Sequence, residues 1–283
     1  MYYILHGFAS IVSLLKPSQL QKIANFLGFL SFEIIRYRRK LVIDNLHIAF
    51  GDSKSDKEIN NIAKASWNSL FLTFLEFFWG KNNDIAADVK IVNGEYLRAA
   101  LDKGQGGFIL ACHLGNWEAM GVKVSRCFRP AHTPVKKVGS DAVDKFVVEM
   151  RTKNGFPVIA RKSSGDGYRA IRKGIKNGDL VGFMMDQSRP GEPRLPFFGK
   201  TAKTNTTLAR IWDKSKRPPI VPCLMKRVAA CKHELHFFPE VEMPITGEKE
   251  ADIIQQTILF NSILEESIRF CPEQYMWMHN RWK

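Results

Sequence analysis

Six consecutive residues, His113-Leu114-Gly115-Asn116-Trp117-Glu118, put an imidazole, a glycine and a carboxylate within one turn of chain. On a regular helix a spacing of five sets side chains about 140° apart, so His113 and Glu118 cannot share a helix face. If His113 lies in a turn and Glu118 in the first turn of the following helix, the two can meet. Gly115 supplies the backbone freedom such a turn requires. A carboxylate behind an imidazole fixes its tautomer and stabilises the imidazolium. The outward nitrogen can then take a proton from a hydroxyl. The chemistry indicated is general-base catalysis without a serine nucleophile, with His113 and Glu118 as the candidate catalytic pair. A structural histidine beside a surface glutamate would show the same spacing, so the elements around the pair matter.

Those elements alternate. Gly106 to Cys112 is a continuous apolar run after a Gly-rich turn and reads as a buried parallel strand. Asp141 to Asn154 places Val143, Phe146, Val147 and Met150 on one helical face, and Val158-Ile159-Ala160 reads as the next strand. A basic helix follows over Tyr168 to Lys176, then a strand over Leu180 to Met185 and a helix over Thr206 to Lys214. Strands over Ile220 to Leu224 and Leu235 to Val241 and a long helix over Ala251 to Phe270 complete the pattern. Such alternation predicts an α/β fold, a central and mostly parallel sheet covered by helices. Three strands end in polar groups: His113, Arg161-Lys162 and Asp186-Gln187. Ligand sites in open α/β sheets gather at such carboxyl ends.

The amino-terminal region differs in character. Residues 1–15 carry no charge, and a second apolar run over Ile23 to Ile35 ends in Arg36-Tyr37-Arg38-Arg39-Lys40. A secretory signal starts with positive charge, and here the first is Lys16. Two short apolar segments with a Lys16-Pro17 break predict membrane-associated helices over residues 1–40, followed by a single α/β domain over 41–283. The stretch Leu70 to Trp79 sets Phe71, Phe74, Leu75 and Phe78 at helical spacing, suited to an apolar ligand, to lipid or to core packing.

Composition narrows the partners. Among 283 residues, 42 Lys and Arg against 28 Asp and Glu give a net charge of +14, which calls for something acidic. Nine basic residues between Lys200 and Lys232, Arg210, Arg217 and Arg227 among them, form a candidate patch for an acidic carrier. Five widely spaced cysteines argue against a disulfide framework, and the absence of a CxxC pair argues against a structural zinc. No metal or other cofactor is expected. A zinc hydrolase on Cys112, His113 and His132 is a weaker alternative. So is a basic nucleic-acid-binding protein, for which no motif is present.

The motif HLGNWE resembles the His-x4-Asp/Glu signature of glycerolipid acyltransferases, and in this form the late acyltransferases of lipid A synthesis. Other segments resemble the same family in order: Phe128-Arg129-Pro130, Arg161-Lys162 with Gly165, Asp186-Gln187, Pro196-Phe197-Phe198-Gly199 and Pro272-Glu273-Gln274-Tyr275-Met276-Trp277-Met278-His279. Arg36-Tyr37-Arg38 with Asn45-Leu46 and Phe50 also fits, so the resemblance covers nearly the whole chain. Two departures occur: Thr206-Thr207 is followed by Leu208 where the family has glycine, and Phe128 stands where it has tyrosine. The resemblance implies a membrane enzyme on the cytoplasmic face of the inner membrane of a Gram-negative-type bacterium. It implies a fatty acyl thioester donor, usually on acyl carrier protein, and a phosphorylated glycolipid acceptor, with no nucleic acid involved. A lysophospholipid or another glycolipid is the alternative acceptor. Asn116, Arg129, Arg161, Asp186 and Gln187 are then candidate substrate-binding or supporting residues, with Arg161 suited to bidentate contact with phosphate.

Overall fold

A computed structural model describes residues 1–135, 137–160, 164–188 and 190–283. The expected Arg161-Lys162 contact therefore lies outside the described residues. Four helices come first: α1 (Tyr2–Val12), α2 (Pro17–Phe29), α3 (Arg39–Phe50) and α4 (Asp56–Trp79). An alternating region follows: β1 (Val89–Val92), α5 (Glu95–Leu101), β2 (Gly107–Ala111), α6 (Trp117–Cys127), β3 (Ala131–Val135), α7 (Asp141–Lys153), β4 (Val158–Ala160), α8 (Ser164–Lys176) and β5 (Leu180–Met184). A hairpin of β6 (Arg194–Phe197) and β7 (Lys200–Lys203) leads to α9 (Thr207–Lys214), β8 (Ile220–Ala229), β9 (Lys232–Phe237) and α10 (Lys249–Phe270).

Seven strands form one sheet in the order β1-β9-β8-β2-β5-β3-β4. Every pairing is parallel except the β8–β9 hairpin. All five residues of β2 are buried, as a central strand covered on both faces must be. Two buried clusters flank the sheet. One joins Phe108, Leu110 and Phe183 to α3, α4, α9 and α10, and the other joins Ile109, Ala111 and Val221 to α5 and α6. The expected mostly parallel sheet under helices is present. The sequence reading passed over β1, β3 and the β6–β7 hairpin. In β3, Ala-His-Thr-Pro-Val, a histidine and a proline interrupt the apolar run that marks a buried strand.

The greasy Leu70–Trp79 stretch is the second half of α4, whose start is fixed by a capping box. The Glu58 carboxylate accepts from the Ser55 backbone N–H at 2.8 Å. Buried on α4 is Glu76, 1% exposed, whose carboxylate faces Arg227 of β8 at 2.9 Å. Arg227 also donates to Ser69 Oγ at 2.8 Å and Thr73 Oγ1 at 2.7 Å, and the Cys231 N–H donates to Glu76 at 2.7 Å. Arg227 is thus an interior residue, not part of an exposed basic patch. Arg210 and Arg217, from the same expected patch, pair with Glu250 and Asp213.

Residues 1–40 are docked onto this body. Val12, Leu20 and Ala24 bury against Leu72 and Leu75 of α4, and the Trp79 indole donates to the Leu15 carbonyl at 3.0 Å. Tyr3, Ile4, Phe8, Ile11 and Leu14 stay exposed on or just after α1, as do Phe26 and Phe29 on α2 and Ile34 and Ile35 beyond it. Among the described residues no helix is long and apolar enough to cross a membrane. Within the basic cluster, Arg38 donates to the Met278 carbonyl at 2.9 Å, Arg39 pairs with Glu33 and Lys40 pairs with Asp44.

His233, 2% exposed, lies 3.6 Å from Glu76, and burial pushes its pKa down to about 4 from 6.5. A histidine kept neutral in the fold takes up its proton more readily when unfolded. Its contribution is therefore intact above about pH 6.5 and lost as pH falls towards 4, up to about 3 kcal/mol in all. Chemical denaturation measured across that range should show the decline, and His233→Gln should flatten it. A variant that declines as steeply as the parent would assign the loss to other groups.

Candidate active site

β2 and β5 are parallel neighbours, with Ala111 opposite Met184. His113 and Asp186 each stand two residues beyond that pair, so the register brings them level on adjacent strand ends. The contact is made twice. His113 Nδ1 lies 2.8 Å from Asp186 Oδ1, and the His113 backbone N–H donates to Oδ2 at 3.1 Å. A carboxylate can only accept, so Nδ1 carries a proton and Nε2 is the ring nitrogen turned away from Asp186. Burial alone would raise the Asp186 pKa, but the imidazole and these hydrogen bonds outweigh it and hold the carboxyl below its ordinary range.

The carboxylate on His113 is therefore Asp186 and not the expected Glu118. Glu118 is held elsewhere: Arg151 of α7 forms a fork with it at 2.8 and 2.6 Å, and the Trp117 indole donates to it at 3.1 Å. Burial works against the Arg151 charge, and Glu118 overrides it, raising the Arg151 pKa. The Trp117 ring meets the imidazole edge-to-face at a centroid distance of 5.1 Å. Sequence spacing placed Glu118 correctly in the first turn of α6 but carried no sign of Arg151, which approaches from α7.

The turn is built to hold His113 still. Gly115 has φ of +61°, and a Cβ there would sit 1.9 Å from the Met225 carbonyl oxygen. Its carbonyl accepts from Thr73 Oγ1 at 2.8 Å. Asn116, fully buried, caps α6 by accepting from the Glu118 and Ala119 N–H groups and donates to Glu76 at 2.7 Å. Both ends of its amide are used inside the protein, where they position the start of α6. The carboxy-terminal segment closes the other side. The Gly115 N–H donates to the Gln274 carbonyl, Met276 N–H donates to the His113 carbonyl, and Leu114 bridges Tyr275. His279 Nε2 accepts the Ser188 N–H at 2.9 Å, fixing the chain just after Asp186. Burial lowers the His279 pKa, in keeping with that acceptor role.

Two other expectations resolve differently. Gln187 is at the site, its amide nitrogen 3.5 Å from His113 Nδ1. Arg129 is not: it precedes β3, at the opposite end of the sheet, and donates to the Gly178 carbonyl at 3.4 Å. Among the described residues no group of three or more His, Cys, Asp or Glu is placed to hold a metal ion. Burial drives the Cys112 thiol well above its ordinary pKa, which leaves it a core residue.

His113 opens onto a cavity of about 550 Å³ between α6 and the β2–β5–β3 face of the sheet. Its walls include Ala111, Trp117, Met120, Thr133, Met184 and Gln187. An imidazole with a buried carboxylate behind it, lining a cavity of apolar and polar side chains, can deprotonate a hydroxyl presented beside a long apolar group. The profile of the bacterial lipid A biosynthesis acyltransferases matches residues 1–283. The chain belongs to this family. It is accordingly an acyltransferase. It is 23% identical over 267 residues to a lipid A biosynthesis palmitoleoyltransferase of Escherichia coli (strain K12), covering 91% of this chain and 82% of the relative. A lipid A biosynthesis lauroyltransferase of the same organism is 22% identical over 266 residues, covering 91% and 83%. A lipid A biosynthesis acyltransferase of Shigella flexneri is 23% identical with 91% and 82% coverage.

Gly115→Ala tests the turn. The left-handed backbone and the blocked Met225 oxygen together should cost at least about 1–3 kcal/mol and displace His113. Turnover should fall more steeply than the thermal midpoint. Full activity in the alanine variant would show that the turn tolerates a side chain.

Proposed function

We propose that the protein transfers a fatty acyl chain from an acyl thioester to a hydroxyl of a lipid A precursor, with His113 as general base. The observation that carries this reading is His113, bonded to buried Asp186 and lining a cavity with a large apolar part. Nε2 takes the proton of the acceptor hydroxyl as its oxygen attacks the thioester carbonyl. The tetrahedral intermediate collapses, the carbon–sulfur bond breaks, and the imidazolium returns its proton to the departing thiolate. No acyl-enzyme forms. Asp186 orients the ring and stabilises the imidazolium, the part first assigned to Glu118. Glu118 and Arg151 brace α6 against α7 beside the reacting centre.

The remaining assignments rest on charge, exposed apolar surface and family. A net charge of +14 suits an acidic acyl carrier protein as donor and a phosphorylated glycolipid as acceptor. Arg161 is proposed for the acceptor phosphate, a group a guanidinium binds with two parallel hydrogen bonds. The exposed apolar side chains of α1 and α2 would rest in the lipid interface, with the protein on the cytoplasmic face of the inner membrane.

His113→Ala should lower turnover by at least the roughly 10²- to 10⁴-fold that general-base catalysis supplies. Asp186→Asn retains the shape but not the charge that favours imidazolium. Turnover should drop and the acid limb of the rate profile should move to lower pH. Glu118→Gln should leave that limb in place. Equal effects of the two carboxylate variants on the limb would restore the Glu118 pairing. The acceptor is settled by incubating one acyl carrier protein thioester with a lipid A precursor and with a lysophospholipid; preference for the latter would overturn the acceptor assignment.

Membrane attachment has its own check. The full chain should sediment with vesicles containing anionic lipid, and Ile4→Glu with Ile11→Glu should release it while its thermal midpoint holds. An intact chain that ignores such vesicles would remove the interfacial role of α1.

A further inference from the structure

Strand register relates the lining residues to His113. Val158 of β4 pairs with Thr133 of β3, so Phe156, two residues earlier, comes level with Ala131. Ala131 pairs with Leu180, which pairs with Gly107. His113 stands six residues beyond Gly107, so the backbone of Phe156 and Ala131 lies towards the opposite end of β2 from it. The charged lining groups gather at the upper end: Glu118 in the first turn of α6, Arg151 bonded to it, and Lys137 just beyond β3. Below them the lining is apolar, with Ile109, Met120, Val124, Ala131 and Phe156.

Phe156 is seated in a special way. A glycine within a helix weakens it relative to alanine, yet α6 carries Gly121 midway. The space a side chain would take there is filled by the Phe156 ring: a Cβ at 121 would lie 2.3 Å from Cε1 and 2.5 Å from Cζ. The ring is 7% exposed and reaches across from the segment that follows α7. Gly155, with φ of +82°, and the Phe156 N–H, donating to the Arg151 carbonyl at 2.9 Å, fix its approach. A slot in α6, one turn beyond Trp117, thus receives an aromatic ring that lines the cavity.

We propose that Phe156, seated on Gly121, is the floor of the acyl site and sets the longest chain the protein accepts. The inference rests on the acyl-transfer reading and adds a specificity-determining residue to it. The polar upper end holds the thioester beside His113, and the chain runs down between α6 and the sheet until its terminal methyl meets the ring. Because interiors are close-packed, a chain too long for the floor must displace the ring or leave its carbonyl away from Nε2.

The test is a chain-length profile. Acyl carrier protein thioesters from octanoyl to stearoyl are given to the full chain with a lipid A precursor, and kcat/KM is read for each. Phe156→Ala should move the optimum towards longer chains by roughly two to four carbons, the room a phenyl ring leaves for methylenes at interior density. Phe156→Leu should move it less in the same direction, and Phe156→Trp should move it to shorter chains. The leucine and tryptophan pair carries the test should the alanine variant not fold. An unmoved optimum in folded variants, or a shift of both in one direction, overturns the ruler. Failure of the parent to transfer any chain would instead count against the acyl-transfer reading. The ruler is then judged on displacement of a fluorescent fatty acid, where the preferred length should move with residue 156 in the same order.

Discussion

The ion pair between Glu76 and Arg227 holds the active end of the protein together. Both groups are almost wholly buried, and each is satisfied several times over. Arg227 reaches Ser69 and Thr73 on α4, while Glu76 takes the Asn116 amide and the Cys231 N–H. Removing one partner of such a pair strands a charge in the interior, at a cost of about 3–5 kcal/mol. What the network gains for the fold is geometry. Thr73 holds the Gly115 carbonyl and Asn116 starts α6, so both residues of the bend after His113 answer to α4 and β8. The bend can then be tight enough to need a glycine without being loose enough to move.

That arrangement explains what could be read from the chain and what could not. Strand-end chemistry was legible because it is local: an apolar run followed by His113, and another followed by Asp186-Gln187. The partnership of those two ends was not legible, because it depends on β2 lying beside β5. The clue was nonetheless present, since each polar residue stands two places past the last paired residue of its strand. Glu118 misled because it is near His113 in sequence, whereas what holds it is a guanidinium 33 positions further along the chain. Arg129 and Asn116 show the same limit. Motif membership placed both among substrate residues, but the fold spends one on the far end of the sheet and the other on a helix cap. The strands β1 and β3 escaped notice for a simpler reason, a short edge strand in one case and an internal proline in the other.

Charge was the least faithful guide to surface. Of the basic residues that suggested a carrier patch, Arg227 is interior and Arg210 and Arg217 are paired with acids. Within Arg36 to Lys40, all four basic side chains have protein partners. Exposed pairs of this kind add little stability, but they reduce the charge available to an anionic surface. The proposed attraction to a membrane would therefore rest more on the uncovered Ile4, Phe8, Ile11 and Leu14 than on the basic cluster that drew attention in the sequence.

The position of α1 gives that apolar surface a connection to the chemistry. Tyr2 donates to Glu149 of α7, and the His6 ring packs edge-on against Phe146 of the same helix. Two residues beyond Glu149 on α7, Arg151 lines the cavity and grips Glu118. A helix resting in lipid would thus be joined through α7 to one wall of the acyl site. On this reading an acceptor lying in the bilayer and an acyl chain lying under α6 would meet at His113. The imidazole stands where they converge, held by a buried carboxylate that touches neither.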